Sequence, residues 1–289
     1  MAIILAFITY FGWGSGDVFG VYATRKIGAY ATSFFVFIFG FIVASLYIPF
    51  AIQDLHKITL GMFLLNVLFG TSILFGNFLL NEAFRRSSAS VVGVVVQSFP
   101  AIVLVLSALI FKDKITSKQI IWIAIIFLGM ILCVVNFSDF RKGKTIIDSG
   151  IKFALIGAFI FSIYFTYSRL FINQYGWFWP NYISIASFPL ALILVRLIFR
   201  IKEKIILPKE KSVLPAIFLS ALLLRGGDIA LNYGISSGFS SIVAPIAGAS
   251  PTLFVVLSWF IFKDKIKGQQ KIGIAICLLG IVLLSFFSK

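Results

Sequence analysis

Charge is what this 289-residue chain has least of: Asp, Glu, Lys and Arg make up 12% of it, about half the quarter usual in soluble domains. So few charges cannot cover a soluble surface, and 60% of the residues are apolar, with a mean hydropathy of +1.06. Histidine is nearly absent. The single His56 lies in Gln53-Asp54-Leu55-His56-Lys57, with no second His or acidic cluster beside it, so no metal site is expected. Cys133 and Cys277 lie in separate apolar runs and read as buried thiols rather than a disulfide. There is no Gly-x-x-x-x-Gly-Lys-[Ser/Thr] loop for ATP, no zinc spacing and no Ser/His pair, so neither an enzyme nor a resident cofactor is expected. No basic segment precedes the apolar start at Met1, so the N-terminus reads as a first membrane span rather than a cleaved signal.

What the chain has instead is a series of long apolar runs. They are continuous, not alternating, which excludes a transmembrane β-barrel. A membrane helix takes about 20 apolar residues, and breaks in hydrophobicity predict ten spans: 2–23, 31–52, 60–83, 88–111, 117–137, 150–172, 178–200, 212–234, 240–262 and 269–288. Each must be helical, because lipid offers the backbone no hydrogen-bond partner. The connections are too short for a separate soluble catalytic or nucleotide-binding domain. A net charge of +15 would suggest nucleic acid in a soluble protein. Here most Lys and Arg fall between the runs, where membrane topology places them, and nucleic acid is not an expected partner.

An internal repeat is the strongest feature. Adding 151 to the residue number aligns Gly76–Leu132 with Gly227–Leu283 without a gap, and 23 of the 57 positions are identical. Shared Leu, Ile and Val follow from composition alone. The pairing of Phe111-Lys112-Asp113-Lys114-Ile115 with Phe262-Lys263-Asp264-Lys265-Ile266 does not, nor does that of Pro100 with Pro251 or Asn81 with Asn232. The chain therefore reads as two halves, 1–137 and 150–289, joined by a connection at 138–149. Five spans per half is an odd number, so the second half enters the bilayer in the opposite sense. The expected fold is an all-α membrane protein of ten transmembrane helices in two inverted five-helix repeats. In that arrangement a binding site lies near the midplane between the halves, and one half rocks against the other to alternate access.

Each half resembles the five-helix unit of the drug/metabolite transporter superfamily, EamA type. The likeness rests on Phe11-Gly12-Trp13-Gly14-Ser15 and on the stretch from Asn81 through Ser88-Ala89-Ser90 and Pro100 to Phe111-Lys112-Asp113-Lys114. That stretch is repeated from Asn232 through Ser240-Ser241 and Pro251 to Phe262-Lys263-Asp264-Lys265. It covers essentially the whole chain, with Asp113 and Asp264 where members usually carry Glu. The resemblance implies a ten-helix carrier in the cell membrane, often an exporter of amino acids or related metabolites. It leaves the substrate open, since the superfamily also carries sugars, nucleotide-sugars and cationic drugs.

Three acids fall within the spans: Asp17, Glu82 and Asp228. An ionisable group at mid-membrane costs about 2.5–3.5 kcal/mol on insertion scales, so it faces a cavity or a partner. Glu82 closes its span beside Arg85 and Arg86, which suits interfacial salt bridging; Arg196 ends its span within reach of the interface and Arg169 is ambiguous. Asp17 and Asp228 are deeper. Asp228 follows Arg225 by three residues, so the two share a helix face and either neutralise each other or line a cavity. Asp228 matches Asn77 across the repeat, and Asn81 and Asn232 lie one turn further on, which favours a shared inward face. Trp13 matches Tyr164 and would form an aromatic wall; Gln97, opposite Gly248, is a further polar candidate. The candidate substrate-binding set is thus Trp13, Asp17, Asn77, Asn81, Gln97, Tyr164, Asp228 and Asn232. Pro100 and Pro251 are expected to shape their helices by kinking them.

Two rival classes are weighed. Gly14-Ser15-Gly16-Asp17 matches the short Gly-x-Gly-Asp motif of intramembrane aspartyl proteases, which need a second aspartate sharing a proton, but no Tyr-Asp or Pro-Ala-Leu motif accompanies it. A channel or non-transporting scaffold is the other, although channels usually assemble symmetric pores from several chains. A small-molecule substrate, the bilayer and a coupled proton on Asp17 or Asp228 are the expected partners. Orientation is contested: the odd-numbered connections hold 17 Lys and Arg against five on the opposite side. That count puts both termini outside the cytoplasm, whereas the resemblance implies cytoplasmic termini.

Overall fold

The computed structural model describes residues 1–112, 116–134, 148–202, 205–236 and 246–287, and every regular element among them is a helix. In chain order these are α1 (Ala2–Ile27), α2 (Ala29–Ser45), α3 (Ile48–Ala51), a 3-10 turn (Ile52–Lys57), α4 (Leu60–Arg86), α5 (Ala89–Gln97), α6 (Phe99–Phe111) and α7 (Ser117–Val134). The remainder are α8 (Ser149–Tyr175), α9 (Phe178–Ala186), α10 (Phe188–Ile198), α11 (Val213–Ser236), α12 (Ser250–Phe262) and α13 (Gly268–Phe287). The Asp113-Lys114-Ile115 motif, most of the 138–149 connection, Ser240-Ser241 and the side chain of Arg169 lie outside the described residues.

Six helical stretches are long and apolar enough to cross a membrane, and a seventh crossing is available if the pair Ala29–Ser45 and Ile48–Lys57, bent by 52°, acts as one. Ser117–Cys133, Ile246–Phe262 and Gly268–Leu284 are apolar but shorter. The protein is a multi-pass membrane protein. Proline explains where the spans break. Pro49, Pro100, Pro189 and Pro251 each stand in the first turn of the helix that follows a break. There the missing N–H costs nothing, whereas in mid-helix it would remove a bond. Pro100 stands just after the interruption at Ser98 between α5 and α6.

Helices approach closely where glycine permits it, as small residues do in membrane interfaces. A Cβ on Gly129 of α7 would stand 2.5 Å from the Cys277 backbone nitrogen of α13, and one on Gly12 of α1 would stand 2.6 Å from the Leu223 carbonyl of α11. Gly129→Ala should therefore force α7 and α13 apart at backbone level. A loss of about 1–3 kcal/mol is expected from overpacking of this kind, read as a lower melting temperature of the purified protein. Cys133 and Cys277 are free, buried thiols, as the sequence suggested.

Helix partners come in matched sets: α1 packs on α11 as α4 packs on α8, α2 on α11 as α4 on α9 and α10, and α1 on α12 as α6 on α8, while α7 and α13 pair with each other. Residues of the five basic connections meet at one end of the bundle. Arg25 donates from both terminal nitrogens to Asp264, at 2.9 and 2.7 Å, and stacks 4.7 Å over the Phe262 ring. Asp264 also accepts from the Ala89 backbone N–H at 2.8 Å, capping α5. Ser87 donates to Asp148 at 2.7 Å. Lys26 pairs with Glu210 at 3.1 Å, and Lys26, Tyr22 and Ser212 hold that exposed carboxyl below the usual carboxylate range. Glu82 is buried and bridges to Arg85 and Arg86, as its position predicted. At the far end, Trp179 donates to the Ala51 carbonyl at 2.9 Å, beneath a cluster of Tyr47, Met62, Trp177 and Phe178.

Candidate functional site

A cavity of about 350 Å³ lies inside the bundle, lined from both halves of the chain. Trp13 and Asp17 reach it from α1, one helical turn apart on the same face. Asn66, Asn77 and Leu80 come from α4, Gln97 and Phe99 from the α5–α6 break, Tyr164 and Phe165 from α8, Asn181 and Ser184 from α9, and Arg225, Asp228 and Asn232 from α11. The lining extends to Ile172 and Trp177, at the end of the bundle remote from the basic connections.

Asp228 is the hub of the polar wall. Its Oδ2 accepts from Arg225 Nη1 at 2.7 Å and its Oδ1 from Trp13 Nε1 at 2.9 Å, so one carboxylate ties α11 to α1. Arg225 and Asp228 are the i, i+3 pair anticipated from spacing, with side chains 20% and 23% exposed. The two readings of Asp228, paired with Arg225 or lining a cavity, hold together. Glycine makes the arrangement possible. A Cβ on Gly227 would stand 2.9 Å from Trp13 Cδ1, pushing the indole away from Asp228. Gly40 of α2 leaves room for Arg225, whose Nε passes 3.4 Å from where a Cβ would sit. Gly76, matched to Gly227 across the repeat, likewise receives an aromatic ring, that of Phe161.

Of the eight candidate binding residues, Trp13, Asp17, Asn77, Gln97, Tyr164, Asp228 and Asn232 line this one cavity. Asn81 does not. It donates to Ser33 Oγ at 2.9 Å and accepts from Thr24 Oγ1 at 3.3 Å, because one turn beyond Asn77 α1 and α2 close over α4. Its amide serves helix packing, a common use in membrane bundles. The side-chain amide nitrogens of Asn77 and Asn232 donate to backbone carbonyls one turn back, Ile73 O at 3.0 Å and Asp228 O at 2.7 Å. Pro100 and Pro251 are not among the lining residues; Pro100 borders a separate apolar pocket with Phe99 and Leu104.

Sequence reasoning missed Asn66, Asn181 and Ser184. Asn66 stands eleven residues before Asn77, three helical turns, so the periodicity of α4 already placed both on one face. Asn181 follows Pro180 in the first turn of α9. Ser184 donates to the Pro180 carbonyl one turn back at 2.9 Å and to Asn66 O at 3.3 Å.

Known proteins bear on this arrangement in three ways. A solved crystal structure 16% identical in sequence superposes with a TM-score of 0.60 over 98% of this chain and 96% of its own, so the whole architecture recurs in another protein. An uncharacterized protein of Methanocaldococcus jannaschii is 28% identical over 138 residues, which is 48% of this chain but 97% of that relative. The sequence profile of the EamA-like transporter family matches residues 1–135 and again 148–286. Matched twice and across nearly its full length, the chain belongs to the EamA-like transporter family.

Proposed function

We propose that the protein is a secondary transporter of the cell membrane that exports a small organic metabolite, such as an amino acid or amine, by alternating access through this cavity. In this reading the chain crosses the membrane ten times in two inverted five-helix halves, 1–137 and 150–289. The matched helix pairings support it, as does a relative that aligns over 97% of its own length with 48% of this chain. The observation that carries the functional reading is that both halves contribute polar groups to one cavity inside the bundle. A site shared between halves changes its exposure when they rock against each other. The carboxylates of Asp17 and Asp228 are the two groups on which a coupled proton would reside.

The rival readings draw less support. An aspartyl dyad shares one proton between two free carboxyls, whereas both Asp228 oxygens are engaged by Arg225 and Trp13. A channel is open at both ends, whereas the basic end here is tied by Arg25, Asp264 and Ser87. With that end cytoplasmic, as the distribution of Lys and Arg favours, the cavity faces outward.

The test is counterflow in proteoliposomes preloaded with a mixture of unlabelled amino acids and amines. A carrier accelerates entry of the labelled solute it exchanges and saturates; a rate indifferent to the internal solute sinks the proposal. Pro100→Ala and Pro251→Ala should lower that exchange while membrane expression stays near normal, because each restores a continuous helix at a built-in break. Unchanged exchange in both variants would leave the prolines as packing relics of the duplication.

A further inference from the structure

Three spans terminate together at the basic end: α4 closes at Arg86, α8 starts at Ser149 and α10 closes at Ile198. α8 and α10 both pack on α4. They meet each other through rings, since Phe199, just past α10, lies 6.1 Å from Phe153 of α8 and 5.0 Å from Phe78 of α4. Arg86 covers this seam, its guanidinium carbon 4.8 Å from the centre of the Phe153 ring. The end of α10 is built at a conformational cost. Ile201 N–H donates to Arg196 O at 3.0 Å and Arg200 N–H to Leu197 O at 3.4 Å, the two bonds of a Schellman ending. The left-handed residue of that motif is usually glycine; here it is Arg200, at φ 52°. A side chain is strained there and glycine is not. No ion pair among the described residues accounts for keeping an arginine at this position.

Arg196, one turn back, and Lys152, next to Phe153, are likewise exposed and outside any ion pair among the described residues. The acids of this corner are already engaged. Glu82 is shared by Arg85 and Arg86, which leaves that trio one positive charge in excess. Asp148 accepts from Ser87 Oγ and from the Gly150 N–H. Away from the basic end the surface turns apolar: Lys152, Ile156 and Phe159 share one exposed face of α8, as Arg196 and Ile193 share one of α10. Cations at the level of the headgroups with apolar side chains beneath them match an anionic lipid. We infer that the seam between α8 and α10 holds an anionic phospholipid, with its phosphodiester on Lys152, Arg196 and Arg200 and an acyl chain along the apolar faces. The guanidinium fork suits phosphate oxygens, and Arg196 Nε is fixed at the end of its helix by Ile201 O at 3.3 Å. Phosphatidylcholine brings its own ammonium, which the same cations repel, so a net negative headgroup is selected. The site requires only that the chain sit in a membrane and is independent of what the cavity carries.

The test is the melting temperature of the full chain in a neutral detergent, with added phosphatidylglycerol, phosphatidylcholine or glycerol 3-phosphate. Phosphatidylglycerol should raise it by about 3 °C or more, the scale for a ligand well above its dissociation constant, and the other two should leave it unchanged. Arg200→Gly is the most informative variant, because glycine relieves the left-handed strain. Without lipid it should melt at or above the temperature of the unaltered protein. It should nevertheless lose about half of the phosphatidylglycerol shift or more, one of three headgroup cations being gone. Lys152→Gln, on a separate helix, should lose a similar share and gives an independent reading. Lys271→Gln, at the start of α13, which packs on α7 and α5, should keep the full shift. A full shift retained in both Arg200→Gly and Lys152→Gln overturns the inference. So does an equal loss in Lys271→Gln, the sign of diffuse attraction to a charged surface. An equal shift with phosphatidylcholine overturns it as well, as does one with glycerol 3-phosphate, which would mark a site for a free phosphate rather than a lipid.

Discussion

Asp228→Asn should insert into the membrane, lose about 2 kcal/mol or more of stability and exchange solute at least about tenfold more slowly. The two effects have different origins. Asn keeps an oxygen for the Trp13 indole N–H, now 2.9 Å from Oδ1, and Asn is what the matched position 77 already carries. What it cannot do is neutralise Arg225, whose guanidinium sits 2.7 Å from Oδ2 with a side chain only 20% exposed. Breaking a buried pair by removing one partner costs about 3–5 kcal/mol because the survivor is left uncompensated, and partial exposure to the cavity trims that figure. Arg225→Leu combined with Asp228→Asn removes the stranded charge and should recover the melting temperature. If Asp228 also contacts the solute, transport should not recover, since a charge-assisted hydrogen bond worth about 1.5–3 kcal/mol would still be missing. A double variant that is both stable and fully active would show that Asp228 serves only to neutralise Arg225.

Polar residues made the site legible, and apolar ones hid the rest of it. In a membrane helix both the lipid face and the protein face are apolar, so amphipathic periodicity cannot say which side looks inward. A costly group can. Asp17 and Asp228 stood out because acids are rare within the spans, and the repeat converted Asn77 and Asp228 into one inward face. The same logic failed for Asn81, because sharing a face with Asn77 says nothing about depth, and the cavity has closed by the next turn. The aromatic wall was only partly foreseeable. With 34 phenylalanines in the chain, no spacing singles out Phe69, Phe165 or Phe171 from those that face lipid. Breaks followed a similar division. Pro100 and Pro251 were flagged by their duplication, whereas Pro49 and Pro189 have no counterpart across the repeat and yet interrupt their spans in the same way.

Asp264→Ala should give the second large effect, at the closed basic end rather than in the cavity. This carboxylate holds three elements at once: it takes both terminal nitrogens of Arg25 from α1, caps the Ala89 N–H of α5, and itself follows α12. The bridge is partly shielded, with side chains 28% and 18% exposed, and Arg25 is pinned from above by Phe262. A bidentate charge-assisted pair of this kind is worth about 2 kcal/mol, and loss of a helix cap adds about 1 kcal/mol. In the alternating-access reading this end must open, and that energy then sets part of the preference for the closed arrangement. In Asp264→Ala, a cysteine placed at Ser87, which lies 3.4 Å from Arg25 through its carbonyl, should react with a hydrophilic maleimide about tenfold faster or more, because about 1.4 kcal/mol of bias toward closure suffices for that factor. Asp264→Asn separates the two contributions. It still offers an oxygen to Ala89 N–H but no charge to Arg25, and should fall between Asp264→Ala and the unaltered protein. Exchanging the pair, Arg25→Asp with Asp264→Arg, restores the attraction without the cap, because arginine has no acceptor for Ala89. Labelling of that double variant should also be intermediate. If all three variants label at the unaltered rate, Arg25 and Asp264 decorate the basic end without holding it shut.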